Sequence, residues 1–115
     1  MATTARTAEN FSIDQGADFS RTLTVTTDGT TAYDISGLTL QGQMRKSYDS
    51  SSASATFITS IVSGSDGTYK IQLRSDTTTS LDAGRYVYDV EVSLSDSTIE
   101  KVHYGIVTVN AEATK

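Results

Sequence analysis

Cysteine, proline and tryptophan are all missing from these 115 residues, and histidine occurs once, as His103. Without cysteine no disulfide and no thiolate metal site is possible, and the redox compartment is not legible. Without proline the turns must rest on Gly, Asp and Ser, and sheet edges lack one of the residues that commonly blunt them. One histidine cannot supply His-x-x-His metal spacing. Long apolar runs are missing too: nothing approaches the roughly 18 residues that suggest a membrane span. No apolar stretch follows Met1-Ala2-Thr3-Thr4-Ala5-Arg6, so the expectation is cytoplasmic synthesis without a cleavable signal. Cations are few, 9 against 14 acidic residues for a net charge of −5, and they are not clustered. That disfavours binding to a nucleic-acid backbone. The scattered carboxylates read as solvated surface. No window supports a helix of three turns. Neither a nucleic acid, a membrane nor a cofactor is therefore expected as a partner.

What is present is hydroxyl-rich. Ser and Thr together number 35, a bias that suits short strands joined by polar turns. The length fits one domain, able to bury roughly two-thirds of its unfolded surface. The clearest period lies in residues 81–94. Tyr86, Tyr88, Val90, Val92 and Leu94 alternate with Arg85, Asp89, Glu91 and Ser93, as in a strand with one buried and one wet face. Leu81-Asp82-Ala83-Gly84 leads into Tyr86, and Tyr88 follows two residues later. This resembles the tyrosine corner of immunoglobulin-like sandwiches, with Tyr88 standing where antibodies carry the second disulfide Cys.

The rest of the chain falls into strands around this one. Phe11 and Ile13 alternate in a short first strand. Phe19, Arg21, Leu23 and Val25 share one parity of the next, with Arg21 expected near an open end. Asp28-Gly29 and Asp66-Gly67 read as hairpin turns, because Asp-Gly readily takes positive φ. Leu38, Leu40, Gly42 and Met44 form an inward parity, and Gly42 there predicts close packing under an aromatic ring. Residues 46–54 read as an exposed loop with three successive serines, Ser50, Ser51 and Ser52, beside Tyr48. Residues 55–62 form a strand of ambiguous face: Phe57 and Ile61 favour one parity, Ile58 and Val62 the other. Tyr69, Ile71 and Leu73 alternate cleanly. One helical turn is expected at residues 79–83. The last strand runs from Ile99 to Asn110, with a bulge expected near Gly105 to reconcile Val102, Tyr104 and Ile106 with Val107 and Val109. The expected fold is therefore all-β: an immunoglobulin-like antiparallel sandwich of about seven strands with no disulfide, a five- or six-stranded barrel being the competitor. Its defining core is Phe19, Leu23, Leu40, Met44, Ile71, Leu81, Tyr86, Tyr88, Val90 and Val92. The sandwich occupies residues 11–109, flanked by an N-terminal arm, 1–10, and a C-terminal tail, 110–115, both expected to be held by neighbouring subunits.

The side chains offer little chemistry. His103 lacks the partners that catalysis or metal binding needs and reads as a surface or rim residue. Asp89 and Glu91 share a strand face roughly 7 Å apart, but an open face does not separate two carboxyl pKa values; cross-pairing with Lys101 or Arg85 is expected instead. Neither Asp-Gly turn has the Asp-x-Asp spacing of a calcium loop. Tyr48, with Ser50, Ser51 and Ser52, is the candidate partner contact.

A family resemblance runs over residues 11–109. Gln15-Gly16-Ala17-Asp18-Phe19 is followed by Tyr33-Asp34-Ile35-Ser36-Gly37-Leu38 running into Gln41-Gly42-Gln43-Met44-Arg45. Then come Asp66-Gly67-Thr68-Tyr69, Leu81-Asp82-Ala83-Gly84-Arg85-Tyr86-Val87-Tyr88-Asp89, and a last strand with Gly105. This resembles small immunoglobulin-like virion proteins of tailed bacteriophages and is similar to the N-terminal domain of phage baseplate upper proteins. The resemblance implies a non-enzymatic virion structural protein, present in multiple copies, with other virion proteins as partners, placed in the tail, neck or baseplate. A capsid decoration protein, or a receptor- or glycan-binding module, is the alternative. No catalytic residue comes with the family.

Overall fold

The computed structural model describes residues 4–113. In chain order the elements are β1 (Thr7–Ala8), β2 (Phe11–Asp14), β3 (Phe19–Thr24), β4 (Thr39–Arg45), β5 (Ala55–Thr56), β6 (Ile58–Ser63), β7 (Thr68–Leu73), α1 (Ser75–Thr79), β8 (Gly84–Ser93) and β9 (Ile99–Asn110). Seven of the nine strands have four or more residues, and these are the seven that side-chain alternation predicts. They form a two-sheet, immunoglobulin-like sandwich without cysteines. The larger sheet has the order β1-β9-β8-β4-β5, with β2 also on β9; the smaller is β3-β7-β6. Pairing is antiparallel except along the outer side of β9, where β1 and β2 run parallel to it.

The period of two in β8 is realised directly: Tyr86, Tyr88, Val90 and Val92 are buried while the residues between them are not. Around them Leu23, Leu40, Met44, Ile71 and Leu81 are also buried, and Phe19 is partly buried against the same cluster. Tyr86 donates its hydroxyl hydrogen to the Asp82 carbonyl four residues upstream at 2.7 Å, which closes the corner. Gly42 packs as its inward parity predicts. A Cβ there would sit 3.1 Å from both the Phe57 ring and Val90, so any side chain would have to push these neighbours aside. Phe57 in turn meets Tyr88 edge-on, centroids 6.0 Å apart, in a group completed by Phe11 and Phe19.

Four local expectations are corrected. The helical turn forms four residues earlier than expected, because Thr78 is drawn inward: its hydroxyl donates to the Ala17 carbonyl at 2.8 Å and accepts from the Gly16 amide. The irregularity in β9 falls at Val102, not near Gly105; the register against β8 shifts between Val90 and Glu91. Inward positions after the shift are therefore His103, Gly105, Val107 and Val109, while Tyr104 and Ile106 turn outward. Arg21 lies in the middle of β3, opposite Ile71, and its guanidinium meets Glu9 at 2.7 Å.

The fourth concerns the N-terminal arm. Residues 4–10 lie on the domain's own flank. Thr4 donates through its amide and hydroxyl to Glu100 at 2.8 and 2.7 Å, and the Ala5 amide donates to the Thr26 carbonyl at 2.7 Å. β1 then pairs with His103 and Tyr104. Backbone hydrogen bonding does this work, and it needs no apolar side chain. Residues 1–3 of the expected arm and 114–115 of the expected tail lie outside the described residues; Glu112 docks its amide on the Gln15 side chain.

Candidate functional site

His103 is the largest departure from the sequence reading. It is 2 % exposed, packed inside the sandwich. Its Nδ1 lies 2.6 Å from the Tyr69 hydroxyl, a contact that joins β9 of one sheet to β7 of the other. Burial pushes the Tyr69 hydroxyl far above its ordinary range, so Tyr69 keeps its proton. The neutral ring gives its one N–H to the Thr24 backbone, which places the proton on Nε2 and leaves Nδ1 to accept from Tyr69. Burial likewise holds His103 down at about 4, against a weaker upward pull from Glu9 and a hydrogen bond to the Thr24 backbone. The pair is neutral, shielded and internally satisfied. Tyr88 behaves the same way. Burial raises its hydroxyl, which donates to the Glu9 carbonyl at 2.6 Å and so ties the N-terminal segment to the core.

The carboxylates are occupied by their own turns. Asp28 accepts the Thr30 and Thr31 amides at 2.9 and 2.7 Å and is held down at about 2 by those bonds, the one from the Thr31 amide first. Asp34 and Asp96 are lowered as well, Asp34 by the Ser36 side chain and amide, Asp96 by the Thr98 amide. Gly29 supplies the positive φ, 96°, that the first Asp-Gly turn requires. Asp89 pairs with Lys101 at 3.2 Å across the sheet, as cross-strand geometry predicts. No three acidic or histidine side chains cluster among the described residues.

Tyr48 is 55 % exposed, yet it is anchored. Residues 47–50 close a turn, with the Ser50 amide donating to the Ser47 carbonyl at 3.1 Å and Arg45 donating to the Ser50 carbonyl at 3.0 Å. This turn lays Tyr48 beside Val87 and Asp89 of the larger sheet, with the Lys101 ammonium 5.5 Å from its ring centre. Ser51 and Ser52 are exposed beyond it and Ser50 is half-buried. The four expected contact residues thus lie in an exposed loop between β4 and β5, anchored by its turn with Tyr48 against the larger sheet.

The more unusual surface lies on a sheet edge, where contacts are expected without proline to blunt it, but at residues the sequence did not single out. Large apolar side chains are exposed at six positions: Tyr48, Ile58, Ile61, Val62, Ile99 and Ile106. Three of the six fall within β6, a strand of six residues that pairs only with β7. On the opposite flank residues 4–14 cover the edge of β9 and reach β3 through Glu9–Arg21 and a Phe11–Phe19 stack at 5.1 Å. The flank between β4 and β6 has no strand pairing among the described residues; it is bridged by the Phe57 amide on the Gly42 carbonyl at 2.8 Å and by Thr59 Oγ1 on the Leu40 carbonyl at 3.0 Å, beside a groove of about 310 Å³ lined by Leu38, Leu40 and Ile61. The signal was present in the sequence: the ambiguous parity of residues 55–62 is what a strand with apolar residues on both faces looks like.

No protein-family model matches the chain, and no curated protein matches it significantly. Among solved structures, an internalin-like protein of Listeria monocytogenes is similar at 14% identity and a TM-score of 0.47, over 91% of this chain. The chain spans only 28% of that protein's length. The major subunit of type I aggregative adherence fimbriae of Escherichia coli is similar at 13% identity and a TM-score of 0.42, covering 94% of this chain and 92% of the subunit. Likenesses this distant carry no argument about what the chain does.

Proposed function

We propose that the chain is a non-enzymatic structural subunit of a tailed-bacteriophage virion, assembled in the host cytoplasm and working through protein–protein contact in the tail, neck or baseplate. The observation that carries this reading is the concentration of exposed apolar side chains on one sheet edge, in a chain whose buried histidine and tyrosines are hydrogen-bonded internally. Exposed apolar residues gathered on one element mark a contact surface. The sequence motifs that resemble phage virion proteins support it further, since they are the residues that build the frame: Asp34 caps its turn on the Ser36 amide, Tyr86 closes the corner, and Tyr88 holds the N-terminal segment. Capsid decoration is the second location within the same reading.

The test is quantitative mass spectrometry of particles purified from a lysate in which the chain is encoded, with immuno-electron microscopy to place it. A copy number matching tail symmetry supports the reading, and one proportional to the capsid subunit moves it to the head. Absence from the particles refutes it. Selective retention of the isolated domain on a glycan array would instead favour a receptor-binding module built on the Tyr48 face.

A further inference from the structure

We propose that β6 pairs antiparallel with β6 of a second copy of this chain, joining two three-stranded sheets into one of six strands about a two-fold axis. The inference rests on the reading of the chain as an assembly subunit, and it names the edge and the partner.

Three observations converge on a second copy as the occupant. The first is the open ladder: β6 has β7 on one side and no strand on the other among the described residues. Its free amides and carbonyls are a template for another strand. The second is charge. Residues 50–65 contain no charged side chain, the longest such stretch in a molecule of net charge −5. Like surfaces of an acidic protein repel in most orientations, and this edge is where two copies approach without that cost. Lys70 of β7, opposite Ser60, is the nearest cation on the outer face. Across the two-fold its distance from its counterpart is three strand spacings, roughly 14 Å, beyond the screening length at physiological salt.

The third observation is self-complementarity, which also fixes the register. Merging the sheets keeps outer faces together only if outward residues oppose outward residues. In β6 Ile58 and Ser60 face outward, opposite Gln72 and Lys70, while Thr59 and Ile61 lie opposite the buried Ile71 and Tyr69; Val62, the unpaired residue of the irregularity between Ile61 and Ser63, is exposed beyond them. Centring the two-fold on Ser60 places Ile58 opposite the partner's Val62, Ser60 opposite its own counterpart, and Thr59 opposite the partner's Ile61. Ile58 and Val62, 43% and 57% exposed in the single chain, then cover each other twice over. Native edges are often protected by charge, proline or a bulge. Here the first two are missing, and the one irregularity falls at Val62, the last outward position, leaving Ile58 to Ile61 in regular register. An edge contact of this size belongs with the smaller, reversible interfaces.

The test uses the whole chain in sedimentation velocity over a wide concentration range, with wild type and two double variants. Wild type is expected to dimerise reversibly. Ile58→Lys with Val62→Lys sets like charges opposite each other and should weaken the dimer by roughly tenfold or more. Ile58→Lys with Val62→Glu sets opposite charges in those same pairs and should restore it. Both sites are exposed, and circular dichroism confirms that each variant is folded. Because the chain has no cysteine, Ser60→Cys gives an independent reading: opposed Cα atoms at about 4.5–5.5 Å lie within disulfide range. It should cross-link quickly, whereas Ser20→Cys, on the far strand of the same sheet, should not. A wild type that stays monomeric at about millimolar concentration overturns the pairing. So does a Lys/Lys variant that dimerises undiminished, or a Ser20→Cys that cross-links as fast as Ser60→Cys. A monomeric chain that is nevertheless built into particles overturns this inference and leaves the virion reading standing. A β6-paired dimer absent from particles does the reverse.

Discussion

Acidification should destabilise this fold through one buried side chain, His103. In the folded protein His103 is held down at about 4; in the unfolded chain it takes up a proton near 6.5. Between those values the unfolded state binds the proton and the folded state does not, so stability is full above pH 6.5 and is lost as pH falls toward 4. At 1.36 kcal/mol per pH unit the interval amounts to about 3 kcal/mol. Domains of this size have about 5–15 kcal/mol in all, so the loss is large. The structural reason is the direction of the bond at Nδ1. A protonated ring turns Nδ1 into a donor, and the Tyr69 hydroxyl would then have to accept, leaving its own hydrogen without the acceptor it has now. The Asp28 turn acts in a separate window. Asp28 is lowered from 3.8 to about 2, so its stabilising turn bonds are present above pH 3.8 and are lost only below it.

The assay is urea denaturation at closely spaced pH values from 7.5 to 4, on wild type and on His103→Gln, which retains an acceptor for Tyr69 but does not titrate. The wild-type midpoint should fall steadily below pH 6.5, and that of the variant should stay flat until about pH 4. Because His103 is the only histidine, its ring resonance in proton NMR reports the folded-state pKa without assignment ambiguity. A value near 6.5, or identical pH profiles for the two proteins, would refute the reasoning.

Three further substitutions probe the frame. Tyr86→Phe removes the corner bond to the Asp82 carbonyl and should cost about 1 kcal/mol in urea denaturation with the fold retained; an unchanged midpoint would mean the corner contributes nothing. Gly42→Ala presses a methyl against Phe57 and Val90 and should cost about 1–3 kcal/mol; a stabilised variant would show that the aromatic group yields freely. Gly105→Ala runs into the Glu9 carbonyl at a φ of 157°, so it should release the N-terminal segment. The readout is faster amide exchange at Thr7, Ala8 and Glu9 while β8 stays protected, and unchanged exchange at those three would refute it.

Wherever apolar residues alternate with polar ones, the strands were legible, and β8 with its corner was enough to separate a sandwich from a barrel. The sequence is silent where both parities are apolar. From Val102 to Val109 any single bulge position reconciles the pattern, and nothing local distinguishes Val102 from Gly105. What decides is Tyr69, 34 residues away, whose buried hydroxyl needs a partner and finds it in His103. The N-terminal pairing was illegible for a different reason. β1 is two residues of small side chains, and its contribution lies in backbone bonds that no residue pattern encodes. The helical turn was misplaced because a threonine in the core is not visible as apolar periodicity.

The two flanks of the sandwich bring these threads together. One flank is closed by the chain itself: Thr4 on Glu100, β1 and β2 on β9, Glu9 on Arg21 and under the Tyr88 hydroxyl. Closing it uses residues 4–14, which bury Ile13 and pack Phe11 against the core as well as removing a pairing edge. The other flank has no such segment. There the chain crosses from the larger sheet to the smaller at Phe57, whose amide donates to the Gly42 carbonyl at 2.8 Å, and it leaves Ile58 and Val62 facing outward. A monomer selected only for solubility could place polar residues at those two positions, since both are largely exposed. An uncharged apolar edge beside a sealed one is what a subunit requires if it is to join through one side and stop at the other.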